Sequence, residues 1–238
     1  VGMFISPHLI TTRERFCIDG ACVSESEFVD AFNWVQKCID AYRKDEELDK
    51  DIFFRHENYV PTYFEILFFM GIYIFINSGI EVCILETGLG GRLDTTNVIE
   101  KPSICIITEI GLDHMKYLGN TIEQIAAEKA GIIKDNIPVV YWAENNAVNK
   151  VIEEKAIQKK APIYPVNYSY CKNIRKTDKS VDFCIQSGYY LGCDFSIPFI
   201  CDYQVANALL AINAIGIIFN NDRCFEENKV IQGLKSVE

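Results

Sequence analysis

The sequence predicts an α/β protein built on a doubly wound, mostly parallel sheet. Three apolar runs without polar alternation, residues 81–87, 103–110 and 138–142, indicate strands that are covered on both faces. Helical patterns follow the second and third runs, at 121–133 and 147–160. This alternation of strands and helices is typical of a parallel sheet with helices on both sides.

Two helices are predicted before the first of these strands. Ser24 with Glu27 forms a capping-box pattern at the start of a helix that reaches about residue 44. A very apolar segment predicts a second helix at about 61–78. Between them, the charged segment 44–51 is predicted to be a solvated loop or a helix end.

After the third strand and its helix, the pattern changes. A fourth strand is predicted at 162–166, followed at 171–200 by short alternating segments that contain glycines. We interpret the latter as a small antiparallel hairpin added to the main sheet. A strong helical pattern at 203–219 is the last predicted element.

Composition excludes several classes of protein. The net charge of −10 argues against binding to nucleic acid. The ten cysteines include no Cys-x-x-Cys pair, which disfavours a zinc ribbon and fits a reducing cytoplasm. The apolar run at 63–76 contains Glu65 and is too short for a membrane span, which needs about 20 residues. We therefore expect a cytoplasmic protein with no membrane or nucleic-acid partner.

Two polar side chains follow predicted strands at the edge of the sheet where ligands bind. Glu86 ends the first strand, and His114 lies just beyond the second. If these strands are neighbours, the two side chains converge and are plausible ligands for Mg²⁺ or Mn²⁺. Taken singly, Glu86 is better explained as an ion-paired strand end and His114 as a loop or core histidine. Taken together at two strand ends, the two residues favour a functional site.

A glycine-rich loop, GLGGRLDTTN, follows Glu86 at 88–97. Its backbone N–H groups, Arg92 and Asp94 can hold a polar heterocycle or a carboxylate. The loop does not fit the dinucleotide-binding pattern, because Leu93 stands where that pattern needs its last glycine. The sequence contains no Gly-Lys-Ser or Gly-Lys-Thr for a phosphate loop. A tight loop with a surface Arg–Asp pair is the alternative.

Four motifs resemble those of one enzyme family. They are SPHL at 6–9, ERFCIDG at 14–20, ETGLGGRLDTTNVI at 86–99 and ITEIGLDHMKYLGNTIEQIAAEKAGIIK at 107–134. Their order and spacing resemble the folylpolyglutamate synthases and dihydrofolate synthases, which belong to the Mur ligase superfamily. The resemblance extends from residue 3 to the end of the sequence.

The resemblance implies an ATP-dependent, amide-forming ligase. ATP phosphorylates the carboxylate of a folate or dihydropteroate, and the amino group of L-glutamate attacks the acyl phosphate. Mg²⁺ offsets the charge of the transferring phosphoryl group. The protein is expected to be a monomer. Whether the substrate is dihydropteroate, a reduced folate or both is left open by the sequence.

The resemblance also implies roles for individual residues. Glu86 and His114 correspond to catalytic metal ligands, and Lys129 to a lysine that is carbamylated and helps to bind the metal. Gln204 and Asn207 correspond to side chains that contact adenine. Arg92 belongs to the candidate substrate loop, and the remaining substrate-binding positions are Ser6, Pro7, His8, Asp94 and Thr95. At Thr95 the sequence departs from the family, whose motif has alanine there.

For Lys129 the alternative is a solvated helix lysine, and for Gln204 and Asn207 a polar helix face. By comparison with the family, residues 1–238 are expected to be an incomplete central ATPase domain of P-loop NTPase type. Its phosphate loop and first strand would precede Val1, and a glutamate-binding domain would follow Glu238. Another Mur-type amide ligase, or a non-catalytic binding paralogue without a phosphate loop, are the alternatives.

Overall fold

The computed structural model describes residues 1–44, 59–219 and 227–237. The chain divides into two compact units, Val1–Val98 and Ile99–Glu238. From residue 45 onward, the predicted solvated segment lies outside the described residues.

The first unit contains a four-stranded mixed sheet and two long helices. Its sheet has the order β3-β2-β1-β4, in which β1 and β4 are parallel and the other pairs are antiparallel. Short 3-10 helices cover Thr12–Arg15 and Thr95–Val98. The strands are β1 (Gly2–Phe4), β2 (Phe16–Ile18), β3 (Ala21–Cys22) and β4 (Cys83–Leu85), and the helices are α1 (Glu25–Lys44) and α2 (Tyr63–Asn77).

Both helices begin at capping boxes. The Ser24 hydroxyl accepts the Glu27 N–H at 3.2 Å, and the Glu27 carboxylate accepts the Ser24 N–H at 2.8 Å. Thr62 and Glu65 make the same reciprocal pair at 3.2 and 2.6 Å. The two predicted helices are therefore confirmed, with starts fixed by local hydrogen bonds.

An aromatic core joins β1 and β2 to α2. Phe4 and Phe16 are fully buried, with ring centroids 5.7 Å apart, and Phe68 of α2 meets Phe4 edge-on. Gly71 lets the helix approach closely, because a Cβ atom there would lie 3.3 Å from the Phe4 ring. The two strands are thus held firmly beneath α2.

α2 is the very apolar segment whose length argued against a membrane span. It buries one side through residues that include Leu67, Met70 and Ile74. Among the described residues, no helix is long and apolar enough to cross a membrane.

The predicted strand at 81–87 forms as β4, but its predicted burial is wrong. The exposed fractions of Val82 and Ile84 are 42% and 52%, and Cys83 is exposed as well. In the described part of the chain β4 pairs only with β1, so that it is an edge strand of its sheet. Hydropathy identified the strand but carried no information about what covers it.

The second unit combines a parallel and an antiparallel sheet, each of three strands. The parallel sheet has the order β5-β6-β7, and the antiparallel sheet β10-β9-β8. The strands are β5 (Cys105–Ile107), β6 (Val139–Trp142), β7 (Ile163–Val166), β8 (Cys171–Lys176), β9 (Val181–Ile185) and β10 (Asp194–Ile197). The helices are α3 (Met115–Leu118), α4 (Ile122–Lys129), α5 (Asn146–Lys159), α6 (Tyr203–Phe219) and α7 (Glu227–Lys235).

The central strand β6 is buried on both faces. Val139 and Tyr141 pack in a cluster with residues of α4 and α5, including Ile152. Val140 and Trp142 point into a second cluster formed with α6 and the antiparallel sheet. This arrangement confirms the predicted α/β class with helices on both sides of a parallel sheet.

The hairpin predicted at 171–200 is present, with one strand more than expected. β8 and β9 form an antiparallel pair, and β10 adds to the other edge of β9. Phe183 and Phe195 stack at a centroid distance of 5.9 Å on the face that packs into the core cluster of α6. The addition is therefore part of the hydrophobic core of this unit.

Two isoleucines of α5 test the assignment of its buried face. Ile152 is fully buried, whereas 74% of Ile157 is exposed. We expect Ile152→Ala to lower the free energy of unfolding by about 2–5 kcal/mol, because it leaves a cavity. The matched control Ile157→Ala should stay within about 0.5 kcal/mol of the wild type. Denaturant titration measures both values, and equal losses would contradict the packing of α5.

Candidate active site

The carboxylate of Glu86 contacts the loop that leaves β1. The Glu86 N–H donates to the Phe4 carbonyl at 2.9 Å, which extends the parallel ladder of β1 and β4 by one residue. The Ser6 N–H then donates to Glu86 Oε2 at 2.7 Å. Two predicted site residues, Ser6 and Glu86, are thus brought together, and Glu86 is an exposed residue.

The segment after His8 is held by a glutamate that the sequence analysis did not single out. The Glu14 carboxylate accepts the N–H groups of Leu9, Ile10 and Thr11 at 2.7, 3.0 and 2.7 Å. These hydrogen bonds, chiefly the one from Leu9, hold the pKa of Glu14 below its usual value. The backbone is fixed, while Leu9 and Ile10 leave their side chains almost fully exposed.

Arg15 holds the ring of His8. Its Nε donates to His8 Nδ1 at 2.9 Å, and its guanidinium lies 5.8 Å from the ring centre of Tyr63. Because Nδ1 accepts this bond, the ring proton of a neutral His8 is assigned to Nε2. Arg15 is buried, with an exposed fraction of only 8%. Glu14 and Arg15 both lie in the ERFCIDG motif, which was the signal available for them.

The glycine-rich loop is shaped by Asp94. Its Oδ1 accepts the Thr96 N–H and hydroxyl at 2.9 and 2.6 Å, and its Oδ2 accepts the Leu89 N–H at 2.9 Å. Both carboxylate oxygens are thus used within the loop. Asn97 Nδ2 donates to the Arg92 carbonyl at 3.1 Å, and Thr95 begins the following 3-10 helix.

Close packing explains the first glycine of this loop. A Cβ atom at Gly88 would lie 2.5 Å from Phe64 of α2. A side chain at this position therefore requires that the aromatic ring move. The loop is held against α2 on one side and closed by the Asp94 hydrogen bonds on the other.

The remaining predicted metal-site residues belong to the second unit. His114 precedes α3 with a left-handed backbone, at φ = 52°, and its Nε2 lies 3.7 Å from Asp113 Oδ2. Lys129 ends α4, is half-buried, and its ammonium group makes no hydrogen bond or ion pair with the residues that the structure describes.

The expectation that the strands before Glu86 and His114 are neighbours is wrong. Within the described residues, β4 pairs with β1 in one sheet and β5 with β6 in another. The local sequence of a strand does not specify its partner, and the error arose there. In the described ranges, no group of three or more His, Cys, Asp or Glu residues could hold a metal ion.

The two predicted adenine contacts lie together in the first turn of α6. Asn207 Nδ2 donates to Gln204 Oε1 at 3.0 Å, as expected for residues three apart on a helix. Gln204 is half-buried and Asn207 is exposed. The Gln204 amide nitrogen and the Asn207 amide oxygen stay available for a polar ligand.

Comparison with known proteins identifies relatives along the whole chain. The Mur ligase middle domain matches residues 62–215, more than half of the chain. A folylpolyglutamate synthase of Arabidopsis thaliana is 35% identical over 216 residues, covering 91% of this chain and 33% of the relative. A dihydrofolate synthase/folylpolyglutamate synthase of Bacillus subtilis (strain 168) is 41% identical over 163 residues, covering 68% of this chain and 35% of the relative.

Solved structures show the same similarity. An FPGS–AMPPCP–folate complex superposes with a TM-score of 0.86 and 25% identity, covering 99% of this chain and 55% of the solved one. The chain thus spans about a third of these two curated relatives and about half of the solved chain.

The hydrogen bonds of Glu14 make a prediction for the backbone of residues 9–11. In Glu14→Gln the amides of Leu9, Ile10 and Thr11 should exchange with solvent roughly tenfold faster, because a charged acceptor is replaced by a neutral one. Amide hydrogen exchange measures this effect. Glu154→Gln, at an exposed position on α5, is the control.

The pH dependence of that protection follows from the lowered pKa of Glu14. Protection is complete above the ordinary glutamate pKa of about 4.3 and is lost only as the pH falls through the lower folded-state value. In the variant this loss should be absent. Unchanged exchange rates in Glu14→Gln would refute the role assigned to this carboxylate.

Proposed function

Because this chain belongs to the Mur ligase middle-domain family, we propose that the protein is an ATP-dependent ligase that joins L-glutamate to a folate or dihydropteroate carboxylate. The observation that carries the proposal is the similarity, along 91% of the chain, to a folylpolyglutamate synthase. The relative from Bacillus subtilis carries both activities in its name, so both substrates belong to the proposal. The complex that contains AMPPCP and folate supports ATP and folate as ligands.

The reaction explains why ATP is needed. A carboxylate is a poor electrophile, and transfer of the γ-phosphoryl group to one of its oxygens gives an acyl phosphate and ADP. The neutral amino group of glutamate then attacks the acyl carbon, phosphate leaves, and the nitrogen loses a proton to give the amide. The protein contributes chiefly by positioning the substrates and stabilising the transferred charge.

In this proposal the substrate lies against the loops at the end of the β1–β4 sheet. Ser6, Pro7 and His8 line one side, and Arg92 and Thr95 contribute from the glycine-rich loop. Asp94, whose carboxylate oxygens both accept hydrogen bonds within that loop, acts by keeping the loop in shape. On α6, the Gln204 amide nitrogen and the Asn207 amide oxygen contact adenine.

Glu86 and His114 are proposed as ligands of Mg²⁺. The Glu86 carboxylate offers the oxygen donors that Mg²⁺ prefers, whereas the His114 imidazole would suit Mn²⁺ as well or act on Mg²⁺ through water. Mg²⁺ is commonly bound by one or two carboxylates together with substrate phosphates. The ion, when bound, offsets negative charge on the transferring phosphoryl group.

Lys129 is proposed to react with carbon dioxide through its neutral amine, losing one proton and forming a carbamate. The change from cation to anion gives the residue oxygen atoms able to hold Mg²⁺. Its half-buried ammonium has no carboxylate partner in the described ranges that the reaction would have to displace. A solvated helix lysine is the alternative.

The proposal also includes a monomeric protein located in the cytoplasm. The cysteine pattern supports a reducing compartment. Size-exclusion chromatography with light scattering tests the monomer, and a fluorescent fusion tests the location.

The function is tested with the protein expressed from its complete reading frame. We expect ADP release that requires both glutamate and either dihydropteroate or a reduced folate, with one amide formed for each ADP. Turnover only with a peptidoglycan precursor would favour another Mur-type ligase. Binding of ATP or folate without turnover would instead favour a non-catalytic paralogue.

The role of Lys129 gives a sharper prediction in the same protein. Lys129→Ala should lower kcat roughly 100-fold, a typical effect of removing a group that stabilises developing charge. Lys129→Arg should not restore it, because a guanidinium keeps its positive charge. The control is Lys150→Ala, at an exposed position on α5. Normal turnover of Lys129→Ala at limiting Mg²⁺ would contradict this role and favour the alternative, a solvated helix lysine.

A further inference from the structure

A two-residue turn brings two cysteines opposite each other in the first unit. β2 and β3 form a hairpin whose turn residues, Asp19 and Gly20, both have positive φ, at 49° and 84°. This is the geometry of a type I′ turn, which holds the register of the flanking strands. In that register Cys17 lies directly opposite Cys22.

The hydrogen bonds of the hairpin identify the kind of pair that the cysteines form. The Val23 N–H donates to the Phe16 carbonyl at 3.1 Å, so Phe16 and Val23 are a hydrogen-bonded pair. Pairs alternate along an antiparallel ladder, so Cys17 and Cys22 are a non-hydrogen-bonded pair, with Cα atoms about 4.5 Å apart. That spacing falls within the range of disulfides, roughly 4.4–6.8 Å.

The two thiols differ in environment. Cys17 is buried, and its Sγ donates to the Glu14 carbonyl at 3.3 Å. Burial, followed by the neighbouring Cys22, raises the pKa of the Cys17 thiol to about 11. Cys22 is exposed. Solvent-borne oxidants therefore reach Cys22 first, and Cys17 is the partner held against it.

We propose that Cys17 and Cys22 are a modification site, a dithiol that a peroxide converts reversibly into a disulfide. The Cys22 thiol loses its proton, and the resulting thiolate attacks the peroxide O–O bond and becomes a sulfenic acid. When hydrogen peroxide is the oxidant, the hydroxide that leaves takes up that proton and becomes water. The Cys17 sulfur then attacks the Cys22 sulfur, the S–S bond forms, and a second water leaves with the Cys17 proton. Two thiols are oxidised by two electrons, and one peroxide is reduced.

The other exposed thiols provide internal controls. Cys38, Cys83 and Cys201 are exposed, and in the described ladders none of them lies opposite a second cysteine. Under the same treatment they stop at a sulfenic acid. The selectivity of the pair thus comes from the hairpin register and not from exposure alone.

Trypsin provides a direct assay, because cleavage after Arg15 and Lys37 releases one peptide that contains Cys17 and Cys22 and no other cysteine. The folded, reduced protein is treated with limiting hydrogen peroxide, alkylated, digested and analysed by mass spectrometry. We expect the peptide to lose two hydrogens, to take up no alkyl group, and to recover both sites after dithiothreitol. The expected conversion is at least tenfold greater than oxidation of Cys38.

The variant Cys22→Ser should abolish the conversion, whereas Cys38→Ser should leave it unchanged. Since the assay needs no substrate, its outcome is separate from that of the proposed ligase activity. Full double alkylation of the peptide, at a peroxide dose that oxidises Cys38, would overturn the proposal. A disulfide from Cys17 or Cys22 to any other cysteine would overturn it as well.

Discussion

The first unit depends on the pairing of β1 with two different neighbours. β2 lies antiparallel on one side and β4 parallel on the other, so β1 and β4 end, and β2 begins, at the same edge of the sheet. The ladder continues through the Glu86 N–H to Phe4, and the Ser6 N–H then reaches the Glu86 side chain. This pairing fixes the positions at which the loop at 6–11 leaves β1 and the glycine-rich loop leaves β4. The fully buried Phe4 and Phe16 hold the strands in place beneath α2.

Around that edge, carboxylates have two different roles: some fix the loops, and one is exposed to solvent. Glu14 and Asp94 accept backbone N–H groups and fix the two loops. Glu86 accepts one such bond and is exposed to solvent. A sequence cannot separate these roles, because each of the three is a single acidic residue within a family motif. The distinction comes from counting the hydrogen bonds that each oxygen already accepts.

Local features of the fold were largely predictable from the sequence, since they rest on contacts a few residues apart. The capping box at Ser24 and Glu27 and the continuous apolar run of β6 are examples. Long-range features were not predictable in the same way. The exposure of β4 and its pairing with β1 depend on segments some 80 residues away in the chain. The positions of Glu14 and Arg15 beside the 6–11 loop were visible only as part of a family motif.

The exposure of β4 has a consequence for the behaviour of the chain in solution. In the described part of the chain, one edge of this strand has no partner strand. The side chains of Val82 and Ile84 are exposed to solvent. Edge strands of this kind are templates for strand addition between molecules, and natural proteins suppress it with charged side chains. Glu81 supplies one such charge just before the strand. Glu86 supplies a second charge directly after it, so carboxylates that oppose association between molecules flank this short apolar border.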